Sequence, residues 1–316
     1  MSDGVSGARP APIVAQIVQL LRAPWVRRLF VVAAVGAAVV AVVLRWDDVA
    51  AALREASWGW VLVALLLSLL TAVLAMLSWR ATSAGFGAPL GVRAAAVVYL
   101  VGQVGKYLPG GVWNLAASAE LGSDRGIERR RTVGTMLVAV LVSMAVAGAL
   151  ALLTLPGVPA SPLEGHRWLV LLTPLALLAM LPVVLNTLLV VLLRVTRQAP
   201  LPDRIGGGAV AAAAGWSLLS WVAAGLQVHV LALAVGAEAG MPLLRLSVGG
   251  YALAWLVGFV LVFLPAGVGA REVVLAAALA PALGTGGVLV VVLLSRVLVT
   301  AGDLLSAGLA HLARPR

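Results

Sequence analysis

Cysteine is absent from the 316 residues, which excludes disulfides, thiolate metal sites and cysteine nucleophiles. Charge is scarce too: Asp, Glu, Lys and Arg make up 11% of the chain, against about 25% in a soluble globular protein. With 62% apolar residues and a mean hydropathy of +1.09, no stretch is polar enough to build a soluble domain, so a soluble enzyme is excluded. The histidines, His166, His229 and His311, lie too far apart for local metal-ligand spacing, and none belongs to an H-E-x-x-H pattern. Neither a metal nor another cofactor is expected. Hydrolysis or group transfer also lacks its residues, because no His-His, Ser-His-Asp or clustered-aspartate constellation is present. Lysine occurs once, at Lys106.

What remains is long apolar runs. Five are long enough for a bilayer, which takes about 20 residues, at 58–79, 133–155, 168–194, 209–236 and 287–311. A sixth run, 29–44, is short, but Arg27, Arg28 and Arg45 bracket it and can snorkel to the headgroups. A cleaved signal peptide is the alternative for that run, although no small-x-small cleavage site follows it. Two further segments are interrupted by Pro and Gly: 94–119 at Pro109, Gly110 and Gly111, and 246–283 at Pro265 and Gly267. Proline removes a backbone donor and glycine tolerates non-helical dihedrals, so each predicts two half-helices with a bend between them. Pro174 and Pro182, inside 168–194, predict only a kink.

Charge sets the topology. If both broken segments enter and leave on one side, 15 arginines face the cytoplasm (9, 22, 27, 28, 80, 93, 125, 129–131, 194, 197, 204, 314, 316) against 4 outside (45, 54, 167, 245). If each crossed once, the division would be 10 against 9. The positive-inside rule selects the hairpins and puts both termini in the cytoplasm, in a multi-pass protein of the cytoplasmic membrane. The net charge of +10 therefore belongs to loops facing anionic lipid, not to a nucleic-acid surface. Residues 45–60, with three tryptophans, predict a helix lying in the outer interface. The triplet Arg129, Arg130 and Arg131 is expected to anchor on headgroups.

Residues 101–112 (VGQVGKYLPGGV) align without gaps on 257–268 (VGFVLVFLPAGV), with seven identities in twelve positions at an offset of 156. Under the charge-derived topology the spans flanking the two hairpins run in opposite directions. Repeat and charge together predict an all-α membrane bundle of about six spans plus two broken hairpins, arranged as an inverted-topology repeat. The division is a cytoplasmic segment 1–28, one transmembrane domain 29–311 and a tail 312–316. Within the domain, repeat 1 covers about 58–155, a connecting span 168–194, and repeat 2 about 209–311.

Five ionisable residues fall at membrane depth: Lys106, Arg271, Glu272, Arg296 and Asp303. Each costs about 2.5–3.5 kcal/mol at the centre of a lipid-exposed helix, so they are expected to face one another or a cavity. Arg296 and Asp303 share a helix face but stand about 10 Å apart in rise, which favours partners from the hairpins, such as Glu272 for Arg296. Freed N–H groups at Gly110, Gly111 and Gly267 would add to an anion site there. The alternative is a set of buried ion pairs that fix helix register. His229, beside Gln227 in a span, is expected to donate a hydrogen bond to a neighbouring helix.

At these positions the chain resembles the transmembrane region of the lysylphosphatidylglycerol synthase family. The match rests on GKYLPGGVWN at 105–114, FLPAGVGAREVVLAAAL at 263–279, and the interfacial segment leading into a span that ends in Trp79-Arg80. The resemblance marks Lys106, Pro109, Gly111, Pro265, Gly267, Gly269, Arg271 and Glu272 as motif positions. It implies movement of aminoacylated phospholipid between leaflets rather than synthesis, because these 316 residues contain no counterpart of the soluble catalytic domain. The expected substrate is an anionic phospholipid or a polyprenyl-linked lipid, bound by Lys106, Gly110, Gly111, Asn114, Gly267, Arg271, Glu272, Arg296 and Asp303. The alternative is an integral-membrane enzyme or accessory subunit acting on a lipid-linked sugar or aminoacyl phospholipid, beside a separate synthase or glycosyltransferase.

Overall fold

A computed structural model describes residues 36, 39–40, 42–107, 112–195, 199–260 and 269–313. The expected cytoplasmic segment 1–28, most of the span 29–44, and both Pro-Gly breaks (Pro109, Gly110, Gly111, Pro265 and Gly267) lie outside the described residues. Every regular element described is helical, and the chain is an all-α bundle of membrane-spanning helices.

An amphipathic helix, α1 (Trp46–Glu55), comes first, with Asp47 and Asp48 in its first turn and Arg54 in its last, each suiting the helix dipole. Its Asp48 carbonyl lies against Gly286, where an added Cβ would come within 2.5 Å of the oxygen. Next comes α2 (Trp58–Gly85), 28 residues and so about 42 Å long. Leu62, Leu66, Leu70 and Val73 are exposed at helical spacing along it, while Ala64, Ala72 and Met76 face inward. That division fits one side in lipid and one against protein. The limb 92–107 follows as α3 (Val92–Ala96), a π turn (Val97–Val101) and a 3₁₀ turn (Val104–Tyr107). The remaining helices are α4 (Trp113–Ser123), α5 (Arg129–Thr154), α6 (Thr173–Leu178), α7 (Pro182–Val195), α8 (Gly207–Ala234), α9 (Met241–Val260), α10 (Ala270–Leu279) and α11 (Thr285–Leu312).

Two expectations change. The run 168–194 bends more sharply than a kink: the helical segments Arg167–Leu178 and Pro182–Val195 meet at 72°, the geometry of a broken span or a re-entrant turn. Pro182 opens the second of them, where its missing N–H and its ring prevent the preceding turn from continuing. Secondly, the first half of the broken segment 246–283 begins earlier, at Met241, and is long enough to span. Arg245 does not end it, because its guanidinium donates to the carbonyls of Thr154 (2.9 Å) and Pro156 (3.2 Å) at the end of α5.

The packing is built around α2 and α8, which run antiparallel along their whole length. Ser57 N–H donates to the Ala234 carbonyl (2.9 Å), Ser220 Oγ to Thr71 (3.0 Å) and Ser78 Oγ to Ala213 (2.8 Å), each pair of residue numbers adding to 291. Shifting α2 by 149 gives 207–234, the bounds of α8, and shifting Val92 gives Met241, the start of α9. Beyond the breaks the shift is 156: Arg129 falls on Thr285 and 113–123 on 269–279. The seven-residue difference is about two helical turns, so α9 gains length without rotating its face. Contacts are matched as well: α5 packs on α9 as α11 packs on the limb 92–107, and α5 on α8 as α11 on α2.

Helix ends fall into two groups. Around the end of α2, Arg131 bridges Asp203 (2.9 Å) and the Gly87 carbonyl (3.2 Å), and Arg80 donates to Leu90 (2.6 Å), so α3 starts and α4 ends at that end of the bundle. At the other end Arg245 reaches α5, and Ala282 packs with Leu155 and Leu246, so α9 starts and α10 ends there.

Candidate functional site

The first limb approaches α4 closely because glycine leaves room. A Cβ on Gly105 would lie 2.6 Å from the Asn114 nitrogen, and one on Gly102 would lie 1.9 Å from Ser118 Oγ. This contact, with the preceding π turn, aims the 3₁₀ turn at α11. Lys106 Nζ lies 2.6 Å from Asp303 Oδ2, and the Tyr107 hydroxyl donates to the same oxygen at 2.5 Å. Asp303 is thus gripped twice, and its side chain is only 14% exposed against 36% for Lys106.

Two turns earlier on α11, Arg296 faces α10. Its Nε lies 3.8 Å from Glu272 Oε1, close enough for attraction but beyond hydrogen-bonding distance. Glu272 spends its other oxygen on the start of α10, accepting the Gly269 N–H at 2.7 Å. Gly269 needs to be glycine, since its φ of +91° is one that side chains rarely adopt. One helix, α11, therefore pairs with both the limb 92–107 and α10 through opposite charges: an acid for the first, a base for the second.

Arg271 is placed differently. Its guanidinium lies over the Tyr251 ring, 4.6 Å from the centroid, and donates to the Tyr251 hydroxyl. Tyr251 packs on Trp221, whose indole N–H donates to Ser143 at 3.1 Å; Trp255 and Phe259 continue the aromatic row along α9. Among the described residues no carboxylate pairs with Arg271. Arg271, Glu272 and Arg296, with Leu275, Val292 and Ser295, line a shallow recess. Behind it Ser295 Oγ donates to Gln227 Oε1 at 3.0 Å, and the buried Gln227 Nε2 has no partner among the described residues.

Of the candidate binding residues, Lys106 pairs with Asp303 and Glu272 with Arg296, Arg271 joins Glu272 and Arg296 at the recess, and Asn114 is half-buried beside Gly105. Gly110, Gly111 and Gly267 lie outside the described residues. Other expectations shift. His229 Nδ1 is buried without a partner among the described residues, so a bond to a neighbouring helix through that nitrogen is not found. Each arginine of the 129–131 triplet, expected to anchor on headgroups, also meets a protein carboxylate, Glu120, Glu128 and Asp203 in turn. Tyr107 and Tyr251 escape a reading by charge alone; the signals were adjacency to Lys106 and the i, i+4, i+8 spacing of Tyr251, Trp255 and Phe259.

The lysylphosphatidylglycerol synthase TM region family matches residues 29–306, nearly the whole chain, and the chain belongs to it. A comparison with curated proteins gives no match.

Proposed function

From that membership we propose that the chain moves a phospholipid or lipid-linked headgroup across the cytoplasmic membrane, along the charged face of α11 between two hairpins of an inverted repeat. The observation that carries this reading is the pairing of α11 with both hairpins, Lys106–Asp303 on one side and Glu272–Arg296 on the other. The antiparallel packing of α2 on α8 supports the inverted relation, because equivalent helices run in opposite directions, as in many secondary transporters. The hairpins open at opposite ends of the bundle, so the ion pairs lie where a headgroup entering from either leaflet would arrive. Charges at this depth are tolerated only beside partners or a polar path, and rearranging pairs can hand a phosphate from one to the next. The arginine-rich end, with Arg80, Arg125 and Arg129 to Arg131, faces the cytoplasm in this reading.

The test is leaflet exchange in proteoliposomes carrying headgroup-labelled phosphatidylglycerol, read by quenching of the outer leaflet. Wild-type protein accelerates exchange over protein-free vesicles, while Asp303→Asn and Arg296→Gln return it to that baseline. Exchange unaffected by either substitution would defeat the proposal. Chemical turnover of the lipid would favour an enzyme instead.

A further inference from the structure

The charges at membrane depth do not cancel. Lys106, Arg271 and Arg296 oppose Glu272 and Asp303, three cations against two anions, and the undescribed segments 108–111 and 261–268 contain no ionisable residue. Counting His229 as neutral, the cluster carries one uncompensated positive charge. That excess has an address. Lys106 is satisfied by Asp303 at 2.6 Å, and Arg296 faces Glu272, whereas Arg271 meets only an aromatic ring and a hydroxyl.

Unused donors gather at the same place. A guanidinium has five N–H donors. Arg271 uses one group, Nη2, on Tyr251, and Arg296 makes no side-chain hydrogen bond among the described residues, its approach to Glu272 being 3.8 Å. Both guanidinium groups line one recess, and planar forks of this kind match phosphate oxygens in pairs. Tyr251, backed by Trp221, holds Arg271 in place without neutralising it.

We infer that the recess between Arg271 and Arg296 selects a headgroup of one net negative charge, a monoanionic phosphodiester. It does so by completing the charge balance of the half-buried cluster. The inference rests on the lipid-moving reading and specifies its substrate class. A zwitterionic headgroup leaves the excess in place, a headgroup bearing an added amine increases it, and a diphosphate overshoots it.

The experiment uses the full chain in nanodiscs of phosphatidylcholine with equal minor fractions of phosphatidylglycerol, phosphatidylethanolamine, lysyl-phosphatidylglycerol and a polyprenyl diphosphate. Lipids retained after transfer to detergent are counted by native mass spectrometry. Phosphatidylglycerol is expected to be enriched about tenfold or more over the others, the worth of a charge-assisted hydrogen bond. Arg271→Gln should bring it to parity with phosphatidylethanolamine, and Arg271→Lys should keep most of the preference, which separates loss of charge from misfolding. Enrichment of the diphosphate or of a zwitterionic lipid, abolished by Arg271→Gln, would overturn the charge class while leaving the lipid site intact. Equal retention of all lipids, unchanged by Arg271→Gln and Arg296→Gln, would remove the site itself. Displacement of phosphatidylglycerol by an equimolar amount of soluble glycerophosphoglycerol would assign the recess to a free phosphodiester and overturn the proposal.

Discussion

Asp303→Asn keeps the shape of the side chain and removes its charge, leaving Lys106 facing a neutral amide. The contact it disrupts is short, 2.6 Å to Lys106, with a second donor from Tyr107 on the same oxygen. A stranded charge deep in protein costs about 3–5 kcal/mol, and an exposed ion pair is worth about 0.2–1 kcal/mol. With Lys106 36% exposed and Asp303 14%, the loss belongs between those limits, about 1–3 kcal/mol. Thermal unfolding in one detergent, run on Asp303→Asn, Lys106→Gln and the double variant, closes a mutant cycle. The double variant is expected to be more stable than Asp303→Asn alone, because no charge is stranded, with a coupling of about 1–2 kcal/mol. Additivity within about 0.3–0.5 kcal/mol would show that the two side chains do not sense each other, and that this pair does not hold the limb 92–107 to α11.

Arg271→Gln, which strands no carboxylate, is predicted to cost less stability than Arg296→Gln, which leaves Glu272 unpaired; the reverse order in thermal unfolding would contradict the pairing described. Gly225→Val would drive a Cβ to 2.5 Å from the Val248 Cα, a backbone atom that cannot swing aside, and is expected to destabilise by about 1–3 kcal/mol or more, or to abolish folded expression. Because the chain has no cysteine, Ser123→Cys and Ser161→Cys can each be labelled alone. Labelling from the cytoplasmic side at 123 and from outside at 161 is predicted, and labelling of both from one side would refute the two-ended arrangement. As a control, Asp48→Asn removes the exposed pair with Arg45, at 3.7 Å, and one first-turn carboxylate of α1, and should change stability by no more than about 1 kcal/mol.

The bundle was legible in sequence because lipid enforces it: a chain that must satisfy its backbone internally shows its spans as apolar runs. The runs containing α2, α5, α8 and α11 are therefore plain in sequence, and so is the periodic shift of 156. Pairing was legible only in part. Two turns between Arg296 and Asp303 point each towards a different partner, and Glu272 does approach Arg296. Nothing in sequence chooses Lys106 for Asp303, however, since that contact depends on how far the limb 92–107 leans, which Gly102 and Gly105 decide through their fit against α4. Arg271 beside Glu272 in sequence suggests a pair, yet adjacent helical residues point apart, and Arg271 goes to Tyr251 on α9. Proline in 168–194 signals a bend but not its size, because the residue alone does not report how far the chain departs from its axis; the structure sets it at 72° before Pro182.

The most direct test of where the headgroup travels is photo-crosslinking with phosphatidylglycerol carrying a photoreactive group on its glycerol headgroup, followed by peptide mapping. Adducts are predicted on the charged face of α11 and the residues opposite it, at 106–107, 271–275 and 292–303, and Arg271→Gln should reduce them. Adducts confined to the exposed Leu62, Leu66 and Leu70 face of α2, indifferent to Arg271, would show that lipid only surrounds the bundle, and would contradict passage along α11.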